Sequence, residues 1–203
     1  MPQFSEIQVR KGLVAPNGAV VDQQGSQDGV AFSDAIHGEY AAAARAGRLF
    51  MASNQAAVAT TAALATTWTG LGLCNPSGSK KLIIVREFSW ALSVVGPAAG
   101  ALGLMEASDT GMAGAITPRC CQFGAGGSVA LVDDGATIGT PVLVKPISTY
   151  GTGAITTWQG AGPQVAKLDG QIVLPAGRSI LTYTFAACTA AFIFGFLWEE
   201  VDA

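Results

Sequence analysis

Charge is the property that this sequence has least of. Only 12% of its 203 residues are Asp, Glu, Lys or Arg, about half the share in ordinary soluble domains. The net charge is −3, and the only basic cluster is the pair Lys80–Lys81. Nucleic-acid-binding surfaces need many more basic side chains to neutralise phosphates, so nucleic acid is excluded as the main partner. A surface so poor in charge instead favours a subunit that other proteins partly cover.

Motifs that carry chemistry are also scarce. His37 is the single histidine, whereas a catalytic base needs positioned partners and a cupin-type metal centre needs several histidines. The chain has no nucleophile elbow, no P-loop and no dinucleotide-binding glycine motif. In a strand neighbouring side chains point to opposite faces, so neither Asp133–Asp134 nor Glu199–Glu200 converges on one substrate. The sequence therefore predicts a protein that is not an enzyme and binds no metal or cofactor.

The cysteines are few and irregularly spaced: Cys74, Cys120, Cys121 and Cys188. They match no zinc-ligand spacing, and adjacent cysteines rarely bridge each other without distorting the peptide between them. One interpretation is that all are free thiols, buried or partly buried. The other is that some of them crosslink subunits once an assembly leaves the reducing cytoplasm.

Neither a secretory signal nor a membrane span is predicted. Residues 1–6 have no basic or apolar region of the kind that a signal peptide needs. Residues 179–198 carry no charge and are long enough to cross a bilayer. Their threonine, aromatic and β-branched content nevertheless favours a pair of strands, so no membrane partner is expected.

The first part of the chain contains its one helical signal. Residues 1–36 are punctuated by glycines and by a polar stretch, which predicts an extended arm that either orders on a neighbour or is a flexible tail. The alanine run within residues 38–48, GEYAAAARAGR, predicts one short helix that stops at Gly47.

Two later segments give the strongest strand signals. Over residues 80–95 apolar and polar side chains alternate, and one phase predicts the core face: Leu82, Ile84, Phe88, Trp90, Leu92 and Val94. Arg86 is the exception on this phase, and we expect it near a rim or paired with a carboxylate. Over residues 190–201 both phases are apolar, so both faces should be covered. We therefore expect core and intersubunit contacts from Phe192, Phe194, Phe196 and Trp198.

Together these patterns predict a mainly β protein. About eight strand-like segments separated by Gly and Pro turns are typical of an antiparallel β-sandwich or jelly roll. We predict this domain over residues 37–203, with the extended N-terminal arm over 1–36 and the short helix near 38–48.

Three segments, taken in order, resemble head-associated structural proteins of tailed bacteriophages. They are HGEY to RAGRLF (residues 37–50) followed by a Thr/Ala-rich stretch, LCNPSGSKKLII (73–84), and LPAG to FLWEE (174–200). The resemblance covers most of the chain from His37 onward and is weakest over the Gly-rich middle. None of the motifs is specific by itself; their order carries the likeness.

The resemblance implies a capsid cement or decoration subunit. Such a protein is a jelly-roll homo-oligomer, most often a trimer, that binds the major capsid protein or other virion proteins and stabilises the head lattice. It has no catalytic residues. The chain would then be a virion protein, assembled in the cytoplasm of a bacterial host, and its adhesion would gain strength from many repeated sites.

Two other roles in the particle stay open. A tail, adaptor or head-fibre component fits the same sequence features. A glycan- or receptor-binding module would use the aromatic rings of Trp158 and Tyr150, which border the loop of residues 149–153, to stack on sugars. An exposed aromatic groove would favour the latter, and aromatic residues buried at a symmetric junction would favour the cement subunit.

Overall fold

The computed structural model describes residues 39–62, 64–94, 99–108, 111–150, 164–186 and 189–203. The chain divides into two compact units, Met1–Glu39 and Tyr40–Ala203. Of the first unit only Glu39 is among the described residues. The arm predicted over residues 1–36 therefore lies outside them, as does His37.

Strands are the main regular structure of the described residues in the second unit. Among the described residues the single helix is α1 (Ala41–Arg45), the short helix predicted from the alanine run. Ten strands follow: β1 (Leu49–Ser53), β2 (Thr67–Asn75), β3 (Lys81–Val94), β4 (Gly100–Ser108), β5 (Arg119–Cys120), β6 (Leu131–Thr137), β7 (Val142–Tyr150), β8 (Gln164–Leu174), β9 (Arg178–Thr184) and β10 (Ala191–Asp202).

The strands form two five-stranded antiparallel sheets packed face to face. The order in the first sheet is β5-β1-β10-β3-β8, and in the second it is β6-β2-β9-β4-β7. The pairs β1–β10, β2–β9, β3–β8 and β4–β7 are nested, as when one long antiparallel ribbon is rolled up. This nesting is the connectivity of a jelly roll, with β5 and β6 added at one edge. The predicted fold class is confirmed.

The core between the sheets is strongly aromatic. Phe88 on β3 lies at its centre, 5.8 Å from the ring of Phe194 and 5.1 Å from the ring of Phe196. Aliphatic side chains of the second sheet face these rings, among them Leu71, Leu73, Leu102, Leu104 and Ile180. Alternating inward side chains from both sheets thus fill one continuous layer.

The side-chain phase predicted for β3 is wrong over its first half. The structure buries Ile83 and Val85 and then Phe88, while Leu82 and Ile84 face outward and are half-buried. The reason is a β-bulge. Trp198 of β10 pairs with Val85 and Leu197 pairs with Glu87, so Arg86 is an extra residue and shifts the phase. As expected, Arg86 pairs with a carboxylate, that of Glu199.

The outer face of the second sheet carries a core of its own. Trp68, Cys74, Met105, Leu181 and Tyr183 are buried there under Met112 and Ile138, which come from the segments before β5 and after β6. A Cβ atom added at Gly72 would lie 2.9 Å from both Met112 and Trp68. The chain therefore covers much of this face by itself.

Residues 54–62 strap one end of the sandwich by passing from the first sheet to the second. Val58 exchanges backbone hydrogen bonds of 2.9 Å with Phe192, and Ala62 bridges to Thr184. Beneath the strap, Trp68 Nε1 donates to the Thr182 carbonyl oxygen at 2.7 Å. The Thr60 hydroxyl also donates to that carbonyl, at 2.9 Å.

Candidate interaction surfaces

The aromatic residues predicted at intersubunit contacts lie inside the fold. Phe192, Phe194, Phe196 and Trp198 have 0–2% of their surface exposed and pack between the two sheets. Outward-facing positions of β10, such as Ile193 and Leu197, are only half-buried. In this fold the four rings stabilise the subunit, and a partner would instead contact other residues.

Of the two residues predicted to stack on sugars, the structure describes only Tyr150. Tyr150 is 5% exposed and meets the Phe192 ring edge-on at 5.2 Å. A ring in that position offers no face to a sugar. Trp158 lies outside the described residues.

The cysteines differ in their access to solvent. Cys74 is fully buried in the outer core of the second sheet, and Cys120 is 8% exposed on β5. Cys121 is half-buried; burial, and then the neighbouring Cys120 thiol, raise its pKa. Of these three cysteines, Cys121 is the one that a second molecule could reach. Cys188 lies outside the described residues.

Phe123 is the most exposed large apolar side chain among the described residues, at 84%. It lies on the loop of residues 121–127, whose Gly124, Gly126 and Gly127 have no heavy atom within 4 Å of a Cβ position. The loop is nevertheless anchored, because the Cys121 amide donates to the Leu49 carbonyl oxygen at 2.8 Å. Sequence reasoning passed over this residue as part of a Gly-rich loop, although a lone aromatic residue among glycines was the available signal.

A buried carboxylate holds the far end of the same loop. Glu200 is 5% exposed and accepts hydrogen bonds from the Ser128 hydroxyl, from the Val129 amide at 3.2 Å and from Trp198 Nε1 at 3.2 Å. The loop around Phe123 is thus fixed at both ends. These hydrogen bonds define the position of the loop that carries the Phe123 side chain.

An open cleft of about 250 Å³ lies at the opposite edge of the sandwich, between edge strands β7 and β8. Its lining combines Glu106, Gln171 and Arg178 with apolar residues: Val144, Ile172, Val173, Leu174, Pro175 and Ile180. Beside it Val142 is 58%, Leu143 43% and Val173 45% exposed, so the two edge strands carry exposed aliphatic side chains.

The polar groups around this cleft already have partners. Lys145 Nζ donates to Gln171 Oε1 at 2.7 Å, which ties β7 to β8. Arg178 lies 3.3 Å from the Glu106 carboxylate. An apolar side chain could therefore enter the cleft without breaking either of these two pairs.

Both edge strands at the cleft are unsuited to pairing with another strand. β7 contains Pro146, which has no amide hydrogen, and its register with β4 shifts twice. β8 has a bulge at which Asp169 and Gly170 take positive φ values of 45° and 77°. Proline and bulges on edge strands block strand addition. A partner at this edge must engage through side chains.

A second charged cluster lies on the outer face of the first sheet. The Glu199 carboxylate is 6% exposed and binds Arg48 at 3.1 Å and Arg86 at 2.5 Å. These contacts join the start of β1 to the bulge of β3 and to β10. The Glu199 carboxylate is largely shielded from solvent and binds both arginines, so the cluster ties β10 to β1 and β3.

Within the described ranges, no group of three or more His, Cys, Asp or Glu side chains could hold a metal ion. No helix in those same ranges has the length and apolar character to cross a membrane. No protein-family model, curated protein or solved structure matches the chain. Its role must be inferred from its own residues.

Proposed function

We propose that the chain is a structural subunit of a tailed-phage particle, a cement or decoration protein that stabilises the head lattice through contacts between subunits. The observation that carries the proposal is a jelly roll with an exposed aromatic side chain, Phe123, at one edge and a row of exposed aliphatic residues, Val142 to Val144, on strand β7 at the other. Exposed apolar surface of this kind supports contacts with neighbouring subunits.

The composition supports the same role. With 12% charged residues, the surface has few groups that resist association. The sequence resemblance to phage head proteins points to the capsid as the place of that association. The partners are then copies of the chain, three in the predicted trimer, and the major capsid protein.

The glycan-binding alternative receives less support, because the Tyr150 ring is packed inside the fold. No specific observation favours a tail, adaptor or head-fibre position over the capsid. The experiment therefore includes tails and glycans as alternative binding partners.

The experiment is co-sedimentation of the purified full-length chain with capsid shells that lack it. Expanded shells, isolated tails and a glycan-bearing resin are tested in parallel. We expect saturable binding to shells, at a fixed number of copies per capsomer. Binding to tails or to the resin without binding to shells would contradict the cement role and move the chain to the corresponding class.

A further inference from the structure

We propose that two copies of the chain pack face to face through the outer face of the first sheet, around a patch formed by Met51, Ser53, Glu87, Arg119, Gly195 and Leu197. The partner of this sheet face is then a second copy of the chain. The proposal rests on the proposed function only in requiring that the chain associates with itself, and it holds wherever in a particle the subunit is placed.

The outer faces of the two sheets differ in how the described residues cover them. On the second sheet, Met112 and Ile138 lie over the side chains of a separate outer core. On the first sheet, Met51 is 40% exposed, and Ile193 and Leu197 are half-buried at outward positions of β10. Apolar side chains therefore remain accessible at the middle of the first sheet, on β1 and β10, where a partner can bury them.

One row of side chains crosses this face and carries its charges at the two ends. The strand register gives the order Arg119 on β5, Met51 on β1, Leu197 on β10 and Glu87 on β3. Among the described residues neither Arg119 nor Glu87 forms an ion pair, although Lys167 is the cross-strand neighbour of Glu87. Three strand spacings of about 4.8 Å separate the two charges by roughly 14 Å, which is too far for a contact within one copy.

A twofold axis parallel to the strands, between β1 and β10, makes this row complementary to itself. It places β5 of one copy opposite β3 of the other, and β1 opposite β10. Arg119 of each copy then faces Glu87 of the other, and Met51 faces Leu197. Facing sheets pack about 10 Å apart, a gap that the side chains of Arg and Glu bridge together. Two ion pairs thus flank an apolar centre, and the same patch serves both copies.

The neighbouring row lets the two sheets approach closely, because its side chains are small. Ser53 lies beside Gly195, and Gly195 lies beside Ser89. A Cβ atom at Gly195 would lie 2.7 Å from the Ser89 hydroxyl and 2.9 Å from the Ser53 hydroxyl, so both serine side chains lean over the glycine. The same axis puts Ser53 of one copy opposite Gly195 of the other, where no bulky side chain holds the sheets apart.

A twofold contact differs from the threefold contacts of the predicted trimer. It joins two single copies or two trimers, so the assembly should contain an even number of copies. Because the apolar centre is small and the ion pairs lie at its edges, the association should be reversible and should weaken as salt is added.

The first test measures the mass of the full-length chain by size-exclusion chromatography with light scattering over a range of concentrations. A thiol reductant is present, so that no disulfide joins the copies. We expect an even number of copies for wild type. R119E and E87R should each weaken the association by about tenfold to a hundredfold, because each turns two attractive contacts into two repulsive ones. K80E and D134R reverse exposed charges outside the patch and should leave the mass unchanged.

The second test exchanges the two charges. The double variant R119E/E87R reverses both ends of the row, so the two ion pairs form again with opposite polarity and the association should return. A mixture of R119E with E87R should form mixed dimers at concentrations where each variant alone is dissociated. In that mixture both contacts between the copies join a Glu to an Arg. Association through any other surface would give neither rescue.

Three results would overturn the proposal. They are a wild-type chain with an odd number of copies at every concentration, an R119E variant that associates like wild type, and no recovery in the double variant and the mixture. Circular dichroism on each variant verifies that the fold is intact, as expected for outward-facing positions. None of these measurements uses shells, so failure of this contact and failure to bind shells are distinguishable.

Discussion

The buried carboxylate of Glu200 offers a sharp test of how the loop around Phe123 is held. Its oxygens accept three kinds of donor: the Ser128 hydroxyl, the Val129 amide and the Trp198 indole. All three donors reach Oε1, and Val129 also reaches Oε2 at 3.2 Å, so the new NH₂ group of E200Q faces the Val129 amide, and the charge that strengthens these bonds is lost. Hydrogen bonds to charged groups contribute about 1.5–3 kcal/mol and neutral ones about 0.5–1.5 kcal/mol.

We therefore expect E200Q to lower the free energy of unfolding by roughly 1–3 kcal/mol. The matched control is E106Q, the same substitution in a carboxylate 3.3 Å from Arg178 whose side chain is 43% exposed. Exposed ion pairs contribute little, so its cost should stay below about 1 kcal/mol.

Urea denaturation, monitored by near-ultraviolet circular dichroism, measures the change in the free energy of unfolding for both variants. Amide hydrogen exchange supplies a local measurement, because E200Q should speed exchange at Val129, whose amide it no longer holds with a carboxylate. Equal costs for E200Q and E106Q, or unchanged exchange at Val129, would refute this account of the loop.

Three further predictions concern the core and the thiols. G70A should cost more than G78A, because a Cβ at Gly70 would overlap the hydroxyls of Thr182 and Thr60, whereas a Cβ at Gly78 meets nothing within 4 Å. Both glycines have positive φ, so G78A reports the backbone strain alone, about 1–2 kcal/mol; equal unfolding midpoints would contradict the packing. F194A should cost about 3–5 kcal/mol in urea denaturation, since it removes a ring flanked by two others in the core, and a cost under 1 kcal/mol would contradict that burial. In a C188S background a maleimide should label Cys121 first. Because burial raises the pKa of this thiol, its labelling rate should rise with pH over a higher range than that of cysteine in an unfolded peptide; prior labelling of a buried thiol would contradict the structure.

The regular features of the fold could be predicted because they are local. The alternation in β10 places Phe192, Phe194 and Phe196 on one face, and the structure buries all three. The alanine run gave the helix. Turns rich in Gly and Pro marked the ends of strands closely enough to indicate a sandwich.

The features that the sequence did not predict depend on long-range pairing. At the bulge, the Arg86 guanidinium binds Glu199 on β10, which is 113 residues away in the chain. A period-two pattern contains no sign of such a shift. The sequence predicted both core and intersubunit contacts for the β10 rings, and the structure shows the core contacts, because the second sheet covers the face that carries all four rings.

The interaction surfaces were hidden for a related reason. The cleft between β7 and β8 becomes visible only when strands from both sheets are placed side by side. Phe123 is one aromatic residue in a Gly-rich stretch, and only the structure shows that 84% of its surface is exposed. Burial and exposure of single aromatic residues depend on topology, which the order of strands in the chain does not specify.

The most direct measurement of the central claim is the temperature at which capsid shells break open, with and without the full-length chain. A ligand that binds the intact lattice in preference to its separated parts stabilises the lattice in proportion to its occupancy. The account predicts that this temperature rises with added chain and levels off when the sites are full. Shells that open at the same temperature at every concentration of the chain would contradict it.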